Sequence, residues 1–199
     1  KVAFNYAASA SEAGPALNSD LLDGFDSTVF ARLTANTFTA TQTIDGGNLD
    51  LDASTATVGN ITKNGTRFLH NFGTGAFNTF LGEDAGNFTM TGANNTGVGR
   101  AALASNTTGG SNTAMGLSAL FSNSTGPQNA AFGWSALSTN TGGGSNAAFG
   151  FRALVSNVNG GGNVAVGADA LRFNTIGSNN IGIGFMAGAN GTNGTNNIY

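Results

Sequence analysis

The sequence predicts an all-β chain folded as a parallel β-solenoid, or β-roll, on three observations. One phrase returns at a fixed distance: "NTAMGLSAL" at 112–120 recurs as "NAAFGWSAL" at 129–137, "NAAFGFRAL" at 146–154 and "NVAVGADAL" at 163–171, each displaced by 17 residues. Each copy carries two fixed glycines, and a glycine in a helix interior costs about 1 kcal/mol, so a helical reading is disfavoured. Seventeen residues are also too few for two useful helices and their loops. Finally, apolar positions change size between copies without changing polarity, as residues do when successive copies fill one continuous core. One coil per copy satisfies all three, with short strands near positions two to four and seven to ten and corners where Gly and Asn accept positive φ.

Numbering each copy from its Asn gives seven contiguous copies from Asn78 to Asn196, and an eighth begins at Asn197. Position one is Asn78, Asn95, Asn112, Asn129, Asn146, Asn163 and Asn180, whose amides both donate and accept and so suit a ladder along the rod. Position five is Gly82, Gly99, Gly116, Gly133, Gly150, Gly167 and Gly184, expected at corners; position fifteen is likewise Gly throughout, from Gly92 to Gly194. Position eight is always Ala. Position four runs Leu81, Val98, Met115, Phe132, Phe149, Val166, Ile183, and position nine supplies Leu103, Leu120, Leu137, Leu154 and Leu171 between Gly in the first and last copies. Both are read as core. Position twelve is Asn in five copies, and position three is Ala or Gly in six, the exception being Phe80. Coils stacked about 4.8 Å apart make a rod of roughly 34 Å.

A single coil of this size encloses little volume and is marginal by itself. Positions six and ten nevertheless add large side chains, Leu117, Phe121, Trp134, Phe151, Val155 and Phe185, which a thin monomer cannot bury. They are the expected interface with further copies of the chain, in a homotrimer, a head-to-tail polymer or both.

Composition narrows the partners. Seven Lys and Arg are scattered against ten Asp and Glu, for a net charge of −3, which gives no basis for nucleic-acid binding. No apolar run approaches the roughly 20 residues of a membrane-spanning helix, so no transmembrane segment is expected. There is no Cys, so no disulfide staples the fold. The first residue is Lys rather than Met, as after removal of a secretion signal.

The first 77 residues differ from the repeats. "KVAFNYAASASEAGPA" at 1–16 has no packing pattern of its own and reads as an extended tail that adds as a strand to another subunit. Residues 17–77 read as a capping module: a short amphipathic helix over 20–33, then strands in "TFTATQTI", "GGNLDLD" and around the Asn-Gly of "KNGTRFL". Strand addition of the tail to the far end of the next rod is the expected route to a filament.

No catalytic or cofactor chemistry emerges. His70 is the one imidazole and has no cysteine or carboxylate cluster to make it a metal site; Glu83 and Asp84 diverge along a strand; Asp50 and Asp52 lack the Gly-Asp nonapeptide of calcium-binding rolls. Stretches such as "TGGGSN" have no following Lys-Ser or Lys-Thr to cradle phosphate. Position two changes from Thr79, Thr96 and Thr113 to Ala, Ala, Val and Ile, which breaks the flat threonine array that ice binding requires.

The motif N-x-A-φ-G-x-x-A, carried by residues 78–196, resembles the head repeats of trimeric autotransporter adhesins. That resemblance implies parallel left-handed rolls, three chains about an axis, and action at the bacterial surface on host matrix or other cells. Here the repeat is longer than that family's, and no coiled-coil stalk or anchor barrel is recognisable. "LNSDLLDGFDSTVFARL" followed by "TFTATQTIDGGNLDLD" is similar to segments preceding the shafts of secreted and phage-tail-fibre-like proteins. The expectation is a secreted, non-enzymatic structural subunit of a bacterial surface fibre. The alternative is an adhesin head in which Trp134, Phe151 and Arg152 touch a glycan or matrix protein.

Overall fold

The computed structural model describes residues 61–63, 66–72 and 77–199. The chain divides into two compact units, Lys1–Leu49 and Asp50–Tyr199, and every described residue belongs to the second. The tail at 1–16, the helix expected over 20–33 and the strands expected over 37–52 lie outside the described residues.

The described residues form a parallel β-solenoid without helix. Strands β3 (Thr79–Leu81), β4 (Thr96–Val98), β5 (Thr113–Met115), β6 (Ala130–Phe132), β7 (Ala147–Phe149), β8 (Val164–Val166) and β9 (Ile181–Ile183) each span positions two to four of one coil. They pair in parallel and in chain order, Thr79 with Thr96, Thr96 with Thr113, and onward to Ile181, so every pairing joins equivalent positions. Repetition dictates this register, because a shift by one residue would turn each inward methyl outward. A bridge from Ile181 to Ile198 carries the pattern into coil eight.

Below coil one the sheet continues into a hairpin. Strand β1 (Ile61–Lys63) pairs antiparallel with β2 (Thr66–His70), flanking the Asn-Gly pair at 64–65, and β2 pairs antiparallel with β3. His70 is buried at this junction, with its Nε2 2.7 Å from the Ala85 carbonyl oxygen and its ring 4.9 Å from that of Phe80. In the tautomer that donates from Nε2, the imidazole closes the end of the core as an ordinary buried, hydrogen-bonded side chain.

Positions seven to ten are turns and not the second strand expected. Positions seven and nine hold positive φ, as in Ser118 (56°) and Leu120 (50°), whereas an extended strand requires negative φ. The peptide groups consequently alternate in direction. Ser118 N–H donates to the Arg100 carbonyl of the preceding coil at 2.9 Å, while Leu120 N–H donates to the Ala136 carbonyl of the following coil at 3.0 Å. The coil is therefore bonded both ways through this segment without a β conformation.

The core is narrower than the sequence suggests, and the expected assignment of position four to it is corrected. Each three-residue strand buries only its middle residue, so position three (Phe80, Ala114, Ala131, Ala148, Ala165) faces inward with the Ala of position eight. Leu103, Leu120, Leu137, Leu154 and Leu171 of position nine are also fully buried. Position four lies on the opposite side, because successive strand residues point to opposite faces. Val98 and Phe132 are half-buried, while Met115 (42% exposed), Phe149, Val166 and Ile183 (63% exposed) face outward with Leu81. Two Ala and one Leu per coil already fill the interior, leaving no space for a second large side chain.

Candidate functional site

Two buried amide ladders hold the rod. In the first, the backbone N–H of each position-one Asn donates to the side-chain Oδ1 of the Asn one coil earlier: Asn95 to Asn78 (2.7 Å), Asn112 to Asn95 (3.0 Å), Asn129 to Asn112 (2.9 Å), and on through Asn146, Asn163 and Asn180 to Asn197. The Nδ2 of each also donates to the carbonyl of the position-fifteen Gly in its own coil, as from Asn112 to Gly126 at 3.0 Å. The second ladder joins position twelve side chain to side chain, Asn123 to Asn106 (2.8 Å), Asn140 to Asn123 (2.7 Å), Asn157 to Asn140 (2.9 Å) and Asn174 to Asn157 (3.1 Å). Each of its amides also bonds the position-fifteen carbonyl, so Gly126 O accepts from Asn112 and from Asn123. Buried amides with every group partnered specify one register.

The two invariant Gly positions serve different needs. Gly82, Gly99, Gly116, Gly133, Gly150, Gly167 and Gly184 hold φ between 121° and 142°, a region closed to side-chain-bearing residues. The position-fifteen Gly needs space rather than unusual φ: a Cβ on Gly126 would fall on the Gly143 carbonyl and against the Asn123 and Asn140 amides.

With the interior closed, the chemistry of the rod resides on its outside. From coil three to coil seven, positions four and six are apolar throughout and form an outer face; in coils one and two position six is instead the charged Glu83 and Arg100. Leu117 and Phe151 are exposed, Trp134 is 56% exposed and Phe185 74% exposed, and beside them stand the outward residues of position four. Two ring pairs mark its middle: Phe132 stacks on Phe149 with centroids 4.8 Å apart and planes within 7°, and Trp134 meets Phe151 edge-on at 5.1 Å. Eight side chains of this face, from Met115 to Phe185, together expose on the order of 800 Å², above the roughly 300–600 Å² of a typical monomer's largest patch. Of the other expected interface residues, Phe121 is exposed and Val155 half-buried, both at position ten, beyond the buried Ala and Leu of their coils. Sequence reasoning missed the position-four half of the face by assigning it to the core, since changing size at constant polarity is the pattern of a buried position and nothing in it marks an outward one.

Charge is sparse, with six charged side chains in the seven coils, of which Glu83 and Arg100 occupy position six of coils one and two. Arg152 Nη2 donates to Asp169 Oδ2 at 3.0 Å, and Arg172 Nε lies 3.6 Å from Asp169 Oδ1. Arg152 Nε and Asp169 Oδ1 are also 3.0 Å apart but poorly aligned, so that contact is electrostatic rather than a hydrogen bond. The Arg152 guanidinium stands 4.6 Å from the Phe151 ring centroid. Arg100 and Glu83, at 3.7 Å and well exposed, form a surface pair worth little. Among the described residues no group of three or more His, Cys, Asp or Glu could hold a metal ion, and no helix is long and apolar enough to cross a membrane.

Compared with protein-family models, with curated proteins and with solved structures, the chain matches none.

Proposed function

We propose that this chain is a non-enzymatic structural subunit of an extracellular bacterial fibre, assembled by association of its rods with one another. The observation that carries the reading is the apolar face of positions four and six on an otherwise nearly uncharged solenoid. Its exposed area is comparable to the roughly 800 Å² that each partner contributes to a standard protein interface. Growth along the axis, by addition of residues 1–16 as a strand to the next rod, is the longitudinal part of the same proposal. The extracellular setting rests on the resemblance of the repeats to adhesin heads, which also makes a trimer the family-based form of assembly.

Sedimentation velocity and negative-stain microscopy test both parts. Trp134→Ser with Phe151→Ser should abolish lateral association while leaving the far-ultraviolet dichroism unchanged; deletion of 1–16 should leave lateral assemblies but stop axial growth. A wild-type chain that remains monomeric at about 100 µM, some hundredfold above a micromolar affinity, rejects the reading.

A second reading is favoured by Trp134, which stands more than half exposed beside Phe151 and the Arg152 guanidinium. An aromatic edge with adjacent cationic donors suits a glycan or an acidic matrix segment, as in an adhesin head. Saturable glycan binding by a soluble assembly, lost in Trp134→Ser, would favour it over the purely structural role.

A further inference from the structure

We propose that two copies of the chain pair through the apolar face in antiparallel orientation, about a two-fold axis that crosses the rods at coil five. This rests on the reading of that face as an association surface and adds its register. Residue size along the face carries the inference. From coil three to coil seven, position six runs Leu117, Trp134, Phe151, Ala168, Phe185, and position four runs Met115, Phe132, Phe149, Val166, Ile183.

Two two-fold arrangements bring this face against itself. With the axis along the rod, the copies are parallel and position four opposes position six at the same height. Phe132 then meets Trp134 at coil four, the two bulkiest residues together, while Val166 meets Ala168 at coil six, the two smallest. Such a contact is overfilled at one level and hollow two coils on.

With the axis across the rod, height is inverted and like positions oppose one another. Trp134 then sits over Ala168, Phe132 over Val166, Leu117 over Phe185 and Met115 over Ile183, while Phe149 and Phe151 meet their own copies on the axis. Trp134 with Ala168, Phe132 with Val166 and Phe185 with Leu117 each set a larger side chain against a smaller one, while Met115 and Ile183 are nearly equal in size. The Phe pairs on the axis are the fullest level, and the gap varies less along the rods than in the parallel arrangement. Close packing without voids is what turns buried area into affinity. Arg152 also approaches its own copy here, but each is already neutralised by Asp169 of its own chain. The arrangement is isologous and closed, and it occupies the face without using the rod ends.

The chain has no cysteine, which makes a clean test available. Trp134→Cys and Ala168→Cys, made separately in the full chain and mixed, should give a covalent dimer under mild oxidation, and neither variant should do so by itself. In the parallel arrangement these positions stand about 10 Å apart in height, too far for a disulfide. In sedimentation equilibrium, Trp134→Ala and Ala168→Trp should each weaken pairing at least ~10-fold, as loss or obstruction of an anchor residue does, and the two together should restore it. Assemblies that form but give no 134–168 link and no rescue overturn the antiparallel register while leaving self-association standing. A three-fold assembly does the same, and a strictly monomeric wild-type chain removes the association reading as well.

Discussion

At position nine, leucine occupies a conformation that leucine rarely adopts. Leu103, Leu120, Leu137, Leu154 and Leu171 hold φ between 49° and 56°, at a cost of about 1–2 kcal/mol each. All are fully buried, which contributes roughly 1.5–3 kcal/mol apiece, so the side chain outweighs the strain of its backbone. Truncation shows whether that balance is correct: Leu137→Ala keeps the strain and loses the burial, and should cost about 2–5 kcal/mol in urea unfolding. At position five no side chain offsets the conformation. Gly133→Ala, at φ 140° and with its Cβ directed at the Gly150 carbonyl, should destabilise by at least ~2 kcal/mol, and a neutral result would refute the corner geometry. In the ladder, Asn129→Ala strands the buried Asn146 N–H and removes one of two donors to the Gly143 carbonyl, an expected loss of about 1–3 kcal/mol. None of the leucine strain was legible in the sequence, since "SAL" reads equally well as helix, strand or turn.

The coils at the two ends, with Gly at position nine, fill their interiors differently from the middle ones. Each interior coil receives its large inward side chain from position nine, with Ala or Gly at position three. In coil one the roles are exchanged: Phe80 enters from position three, over Gly86 at position nine and against Gly97 of the next coil. At the other end the arrangement differs: coil seven has Gly at both position three (Gly182) and position nine (Gly188), and the space over Gly188 is taken by the half-exposed ring of Tyr199, position three of coil eight, and by Leu171. In coil one, volume is conserved while its source changes. Phe80→Ala should therefore cost about 3–5 kcal/mol, and adding Gly86→Leu should recover most of it by rebuilding the arrangement of coil two. Gly86→Leu by itself should destabilise, because a Cβ there would lie 2.7 Å from the Phe80 ring. If the double variant melts no higher than Phe80→Ala, the interchange is not what fills the end coil. Glycine at position nine of the first and last copies was visible in the sequence, but its partner across the coil was not.

Across the whole molecule, among the described residues, each interior coil is hydrogen-bonded to the coil above and the coil below it. Backbone and side-chain hydrogen bonds between coils join residues 15 to 18 apart, as in Gly116 N–H to the Val98 carbonyl, so stability is nearly a sum over similar interfaces. Removing one complete coil, residues 129–145, should leave a shorter solenoid with a cooperative transition at lower temperature, because Asn146 then meets Asn112 in the native geometry. Removing eight residues from the same coil should abolish folding C-terminal to the cut, since both amide ladders lose register. Circular dichroism and limited proteolysis distinguish the two outcomes. Equal tolerance of both deletions would mean that the ladders do not set the coil.

The sequence by itself determined the period, the number of coils and the stacking of like upon like, because exact repetition leaves only one register in which amides meet amides. It also marked the corners, since the position-five Gly had a conformational reason to be invariant. Tertiary structure decided which side of the strand is inside. Alternation separates position three from positions two and four but assigns neither to the interior, and size pointed the wrong way: the larger residues lie outside because a coil closed by two Ala and one Leu has no volume left for them. That inversion moved Met115, Phe149, Val166 and Ile183 from the expected core to the surface, and with Trp134, Phe151 and Phe185 they form the face on which the proposed assembly depends.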